Sequence, residues 1–475
     1  MKNRPFSVMV LVTFVLSMLS TSIVSAADTA TEVPAQSPAM SATLPAATSP
    51  PPAPVAMPVA TPMTAPGSID AAKISAGDTA WMLTSSALVL LMTIPGLALF
   101  YAGMVRRKNV LSIMGHSVVT TCIVTILWVM IGYSLAFTPG SMYLGGSERF
   151  MLGGLVFLKE TGKLTVSHIA PTIPESVFVM YQMTFAIITP ALITGAFAER
   201  IKFSALILFI GLWSLLVYVP IAHWVWEPAG WFALHGVLDF AGGTVVHISA
   251  GVSGLVAAVM VGRRVGYGQE AMPPHNLVLT VIGASLLWVG WLGFNGGSAL
   301  AADGRAGLAV LVTQVATAAG ALSWMAVEWL RRGAPSVLGL VSGALSGIVA
   351  ITPASGFVDI QGALAIGAVA GVACYLGATV LKSFLGYDDS LDVFGVHAIG
   401  GVVGSLLTGV FVVESIGGVT TTVGIQAFGV GITAVYAAFV TMVILYVVNK
   451  LVGLRVTEKE EAEGLDIAQH GETVS

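Results

Sequence analysis

The chain has 475 residues, 9% charged and 56% hydrophobic, with a formal net charge of −4 and a mean hydropathy of +0.90. An ordinary globular chain carries roughly 25% charged residues, so this is the composition of an all-α polytopic membrane protein. It has no basic footprint for nucleic acid, and its two cysteines, Cys122 and Cys374, lie in apolar spans, give no disulfide framework or metal cluster, and read as packing residues.

At the N-terminus Lys2 and Arg4 precede an apolar run that leads into the small residues Val24, Ser25 and Ala26. This is the pattern of a cleavable secretory signal over residues 1–26; an uncleaved anchor is the alternative, disfavoured by the short apolar core. Residues 27–78 begin as an Ala/Pro/Thr/Ser tract, too poor in large apolar groups to offset ordering entropy, and are expected to form a disordered exported segment.

From residue 79 onward eleven segments are long enough to span a bilayer core, which takes about 20 residues each. They run near 80–104, 110–137, 176–198, 204–225, 244–262, 277–299, 307–330, 336–354, 361–383, 393–413 and 426–449. An N-terminus outside puts Arg106, Arg107, Lys108, Arg200, Lys202, Arg263, Arg264, Arg331, Arg332, Lys382, Lys450, Arg455 and Lys459 on the cytoplasmic side. The exterior receives only Lys73, Arg149, Lys159, Lys163 and Arg305. This asymmetry agrees with the export signal, and the odd count puts the C-terminus in the cytoplasm. The expected location is the inner (plasma) membrane, with a transmembrane domain over 79–449 and a charge-dense cytoplasmic tail over 450–475.

Two histidines sit inside these spans in matching company. His247 and His397 each follow an aspartate, Asp239 or Asp392, and each precedes glycines at +4 and +7: Gly251 and Gly254, Gly401 and Gly404. They fall on the fifth and tenth spans, so the chain divides into an inverted 5+5 repeat plus a C-terminal helix, a plan whose sites lie at the repeat interface. The glycines read as close-packing positions. An ionisable group at membrane depth is a functional-site candidate by default.

Six segments now carry a resemblance: TIPGLALFYAGMVRRKN, GAFAERIKFSA, LDFAGGTVVHISAG, GWLGFNGGS, DDSLDVFGVHAIGG and VGLRV…EGLD, in this order across 79–475. Together they resemble the bacterial ammonium transporter family, within the superfamily that includes methylammonium permeases and Rhesus proteins. The resemblance implies a homotrimer whose protomers each hold a narrow pore importing ammonium (or methylammonium) for nitrogen assimilation. It implies an outer recruitment site of Trp226, Phe185 and Ser298, and a gate of Phe185 stacked on Phe294. Read singly, Trp226 is an interfacial belt tryptophan, Ser298 a helix-end hydroxyl and each phenylalanine ordinary packing. Trp224 is the better belt candidate. Tyr181 stands where the family often has phenylalanine, and its hydroxyl is expected to alter the polarity of the vestibule. The tail matches a segment that packs beneath the pore, and many bacterial relatives are blocked there by a PII-type (GlnK-like) signalling protein.

Chemistry narrows what passes. Stripping water from a small cation costs of order 20 kcal/mol in the idealised Born limit, whereas a cation–π contact returns only about 0.5–2 kcal/mol. Aromatic faces therefore recruit ammonium at a wet mouth, while neutral ammonia, hydrogen-bonded by imidazole, suits the dry pore. Buried imidazoles are expected neutral at pH 7; if the rings touch, one donates and the other accepts. Whether they relay the shed proton or only guide ammonia stays open. Asp239 reads as a helix cap, and Asp388, Asp389 and Asp392 as caps or loop anchors. No nucleophile–base, metal-ligand or phosphate-cradling motif has a convincing context, so neither an enzyme nor a metal or cofactor is expected. An electroneutral Rhesus-type gas channel and an ammonium sensor are the competing readings.

Overall fold

The structure, a computed structural model, describes residues 65–474; the expected signal peptide and most of the Ala/Pro-rich tract lie outside them. Each expected span falls on a helix. In chain order these are α1 (Ala76–Met104), α2 (Arg107–Phe137), α3 (Glu175–Phe197), α4 (Phe203–Leu234), α5 (Gly243–Val261), α6 (Leu277–Gly297), α7 (Gly304–Arg332), α8 (Val337–Ile351), α9 (Ile360–Leu385), α10 (Phe394–Phe411) and α11 (Val423–Val452). Ten of these described helices are long and apolar enough to cross a membrane; α8 is the shorter one. Its 15 residues rise only about 22 Å, and hydrogen-bonded turns continue it to Phe357.

Polar side chains set the helix starts. Ser75, Asn276, Asp303, Ser336, Asp359 and Thr422 each accept a backbone N–H from the first turn that follows, as N-caps do. The α3 helix lies at the centre: 94% of its apolar window is buried, against 28% for α11.

Two expectations are corrected. Disorder does not extend to residue 78: β1 (Gly67–Asp70) pairs antiparallel with β3 (Lys163–Val166), which also pairs with β2 (Phe157–Leu158). The strand's partner is distant in sequence and supplies the hydrogen bonds that local composition does not reveal. Cys122 is exposed on α2 rather than packed, whereas Cys374 is buried.

The glycines after the histidines bring α5 and α10 together reciprocally. A Cβ on Gly251 would lie 2.3 Å from the Ala398 nitrogen, and one on Gly401 only 3.1 Å from His247 Cβ. Each glycine thus packs against the other histidine's turn, the contact pattern of two halves related by a twofold. Gly404 rests on α8, where a Cβ would lie 2.0 Å from the Ala350 oxygen.

On the face opposite the sheet, buried charge organises the loops. Arg200 is fully buried, and its guanidinium donates to the carbonyls of Gly262, Ala198, Ala196 and Asp388 and to Ser390 Oγ. Arg264 grips the Asp388 carboxylate at 2.7 and 2.9 Å and, with Arg106, meets Glu199. Asp388 pairs with this guanidinium as an anchor. Asp389 Oδ2 accepts the Phe394 N–H at the start of α10, and Asp392 pairs with Lys382 at 2.6 Å.

The tail folds onto this face as two short helices, α12 (Glu458–Glu463) and α13 (Leu465–His470). Asp466 accepts the Leu111 and Ser112 amides that open α2. Glu461 accepts from the Val265 amide and from Arg455. Gln469 holds Phe203 N and Ile201 O.

Two measurements follow from these contacts. Gly404→Val forces α10 off α8; overpacking of this kind costs about 1–3 kcal/mol, so a lower melting temperature in detergent is expected, and an unchanged one contradicts the close approach. Burial pushes the Asp389 carboxyl up to about 6 from its ordinary 3.8. The folded chain therefore binds this proton more tightly than the unfolded chain, and the group's contribution to stability, full below pH 3.8, is lost as pH rises through about 6. Asp389→Asn should gain stability relative to the parent between pH 4 and 7 in thermal melts (~3 pH units, following the linkage relation).

Candidate functional site

The expected recruitment residues come together on the sheet face. Phe185, Trp226 and Ser298 line one cavity with Ile169, Gln182, Phe240 and Leu300. Half-buried Trp226 ends the continuous helical run of α4, before the extended backbone at Glu227, and stands perpendicular to Phe185, centroids 5.7 Å apart. Its indole N–H donates to the Asp239 carbonyl at 3.0 Å. Trp224 is not a belt residue: it is 5% exposed, donates to the Tyr143 carbonyl and packs against Trp231 and Tyr436.

Tyr181 is buried behind the cavity lining and acts on it through Ser298: its hydroxyl lies 2.7 Å from the Phe294 carbonyl and 3.2 Å from Ser298 Oγ. Because α6 ends there, the tyrosine reaches a helix carbonyl left without an intrahelical partner. Ser298 Oγ is also 2.9 Å from that carbonyl. With both hydroxyls donating to Phe294 O, the Ser298 lone pairs are left to accept a hydrogen bond from the cavity.

Below the cavity Phe185 and Phe294 stack, centroids 4.1 Å apart and planes 29° apart, both 1% exposed. They stand between the cavity and the histidines. His247 follows at 6.3 Å from Phe294 and lies 5.4 Å from Trp291, whose indole is held by Thr352 Oγ1 at 3.0 Å. His397 comes next, 5.4 Å from His247 with 18° between the rings. It borders a second cavity, on the tail face, with Phe100, Tyr101, Asp392 and Val396.

No hydrogen bond joins the two rings. His247 Nδ1, His247 Nε2 and His397 Nδ1 are buried with no hydrogen-bond partner. Spacing is set by the glycine contacts of α5 and α10 rather than by the imidazoles. Buried polar atoms are nearly always satisfied, so three such nitrogens in one column call for an explanation.

Local backbone aims both rings. Each histidine lies in a π-helical turn, Gly243–Ile248 or Phe394–Ala398, a widening common at functional sites. Asp239 builds the first: its Oδ1 accepts the Gly242 and Gly243 amides at 2.7 and 2.6 Å, and its Oδ2 accepts the Thr244 and Val245 amides and the Thr244 hydroxyl. Gly242 makes this possible with φ +117, a conformation that L side chains resist. Sequence reasoning missed Phe240, Gln182 and Trp291; the signals available were the adjacency of Phe240 to Asp239 and the one-turn spacing from Trp291 to Phe294. Among the described residues no cluster of three or more His, Cys, Asp or Glu could hold a metal.

Comparison with known proteins places this arrangement in company. The model of the Ammonium Transporter Family matches residues 80–475. The chain is 48% identical over 405 residues to "Ammonium transporter" of Bacillus subtilis (strain 168), covering 83% of this chain and 98% of the relative. It is 44% identical to "Ammonium transporter Amt1" of Archaeoglobus fulgidus, covering 84% and 99%. Among solved structures, Candida albicans Mep2 superposes with TM-score 0.76 at 34% identity, covering 85% and 92%. A "Sensor Amt Protein" gives TM-score 0.76 at 29% identity, covering 83% and 98%.

Replacing Asp239 by Ala strands four backbone amides, each lost partner costing about 1–3 kcal/mol when left unsatisfied. Asp239→Ala should therefore lower the melting temperature in detergent clearly, and Asp239→Asn, which retains one acceptor oxygen, less so. Equal loss in the two variants contradicts the capping account.

Proposed function

Because the chain belongs to the Ammonium Transporter Family and is a multi-pass membrane transporter, we propose that it recruits ammonium at the Trp226–Phe185–Ser298 mouth and conducts ammonia past His247 and His397. The observation that carries this reading is the set of unpartnered imidazole nitrogens between the phenylalanine stack and the inner cavity. A neutral imidazole offers one N–H and one lone pair, and ammonia offers both complements, so a file of ammonia satisfies nitrogens that the protein leaves unpaired. Potassium has neither a proton to shed nor a donor to give.

The sequence of events follows from burial. At the mouth ammonium keeps part of its water, while Trp226 and Phe185 face the cation and Ser298 Oγ accepts one N–H. The cation passes a proton to the water it keeps at the mouth before entering the dry column, since its desolvation far exceeds what two rings return. Phe185 and Phe294 swing aside, and ammonia moves along His247 and His397 to the inner cavity. The proton follows from that water through the two imidazoles, handed from one ring to the other by the molecule seated between them, and leaves to water in the inner cavity, so net transport moves positive charge. We assign the exterior to the sheet face and the cytoplasm to the tail face of an inner-membrane homotrimer whose import feeds nitrogen assimilation. The tail, seated on the loops at 109–112, 201–203 and 265, forms with them the surface for a PII-type signalling protein.

A sensing role is the second reading, favoured by the 29% identical neighbour titled as a sensor. Flux separates the two.

Cells lacking their own ammonium transporters and expressing this chain should take up methylammonium, and His247→Ala and His397→Ala should each lower that uptake at least about tenfold, a loss of about 1.4 kcal/mol or more in transition-state stabilisation. Absence of wild-type uptake returns the reading to the sensor. On reconstituted protein, ammonium transport without current removes the proton relay. For the partner, a pull-down with nitrogen-replete extract should recover a PII-type protein with the full chain and lose it with Asp466→Ala; repeated failure with the full chain contradicts the docking surface.

A further inference from the structure

The outer cavity has one wall that neither the sequence motifs nor its cation chemistry accounts for: Phe240. Its ring is held from behind by a cation. Arg305 is the second residue of α7, the positive end of a helix dipole, where a cation is disfavoured. Its guanidinium carbon nevertheless sits 4.9 Å from the Phe240 centroid and 5.0 Å from that of Phe357. The two rings meet edge to face, 5.6 Å apart at 80°, so the guanidinium fills the corner between them. Arg305 Nε donates to the Gly356 carbonyl at 3.0 Å. Gly356 itself has no room for a side chain, because a Cβ there would lie 2.1 Å from a ring carbon of Phe240. The remaining tie is the Phe240 amide, which donates to Pro353 O at 3.0 Å.

Phe240 is thus clamped between a turn and an arginine, and it is also a wall of the cavity that holds Phe185, Trp226 and Ser298. It directly follows Asp239, whose carbonyl accepts the Trp226 indole. Any swing of the Phe240 ring therefore changes the shape of the mouth beside Trp226. Two effects of Arg305 compete in principle. Its charge would repel an incoming cation, but it is half-buried against the rings, and at physiological salt screening acts over about 8 Å in a wet mouth. Its planar fork fixes the ring directly. The contact effect dominates.

We propose that Arg305 is a positioning residue for ammonium recruitment: by clamping Phe240 against Gly356 it holds the outer cavity in its binding shape and so sets the transporter's apparent affinity. This rests on the reading of that cavity as the recruitment site. It makes Arg305 a residue whose removal weakens cation capture even though its charge has the same sign as the substrate's.

The test is the concentration dependence of methylammonium uptake by cells lacking their own transporters, with each variant's amount and monodispersity measured in parallel. Arg305→Gln should raise KM about fivefold, the size expected for losing a partly exposed cation–π contact, with the maximal rate within about twofold, since the chemistry of the pore is untouched. Arg305→Lys, which keeps a cation over the rings without the fork, should recover part of that affinity. Phe240→Leu should raise KM similarly, and adding Arg305→Gln to it should change KM little further, because both changes remove one interaction. A KM that falls in Arg305→Gln shows that charge rather than position is at work and overturns the proposal, as does an unchanged KM or full additivity with Phe240→Leu. Trp226→Leu separates the two levels of the argument. If it raises KM while Arg305→Gln does not, the clamp alone fails; if Trp226→Leu leaves KM unchanged, the recruitment site falls and takes the clamp with it.

Discussion

The Asp239 carboxylate is the contact on which the column of aromatic and imidazole rings depends. Two oxygens gather four consecutive backbone amides and a threonine hydroxyl, and the carbonyl of the same residue anchors the Trp226 indole. One side is therefore bound to the outer cavity and the other to the turn that carries His247. A carboxylate 6% exposed is tolerable at membrane depth because every neighbour is a donor at the positive end of a helix. With the anion fixed, the orientation of α5 is fixed, and the glycine contact with α10 transfers that orientation to His397.

This arrangement explains how a protein places two imidazoles side by side in an apolar interior without pairing them. Here the ring separation is governed by Gly251 against Ala398 and Gly401 against His247, contacts made by backbone and Cβ atoms. The nitrogens are left without protein partners, and the stacked phenylalanines stand between them and the outer cavity. Close helix packing thus sets the polarity of this column as well as its width.

Much of this was legible in the chain itself. The spans, the two histidines and their glycine spacing are properties of local pattern, and each span falls on a helix, the clearest difference being α4, which runs on to Leu234. Trp226, Phe185, Phe294 and Ser298 came from motif resemblance; taken singly, each has an ordinary packing explanation. What sequence could not supply depends on distant partners. The π-helical turns arise where Asp239 and the neighbouring helices override the 3.6-residue period. The partners of the Tyr181 hydroxyl, the Phe294 carbonyl and Ser298 Oγ, lie on α6 and at its end, far away in the chain. Arg305 entered only as one of the exterior cations, because its contacts depend on α7, the 353–357 turn and Phe240 meeting in space. Strand β1 was hidden by a composition that describes the tract before it.

The tail contacts carry a consequence for how the molecule is made. Glu461, Asp466 and Gln469 are synthesised after all eleven apolar helices, yet they complete amides at Val265, Leu111, Ser112 and Phe203 that were made far earlier. Until Glu461, Asp466 and Gln469 have left the ribosome, those groups stay open to water and the loops they bind lack their clasp. A chain stopped before Glu461 holds all eleven apolar helices but leaves these four amides without their side-chain acceptors.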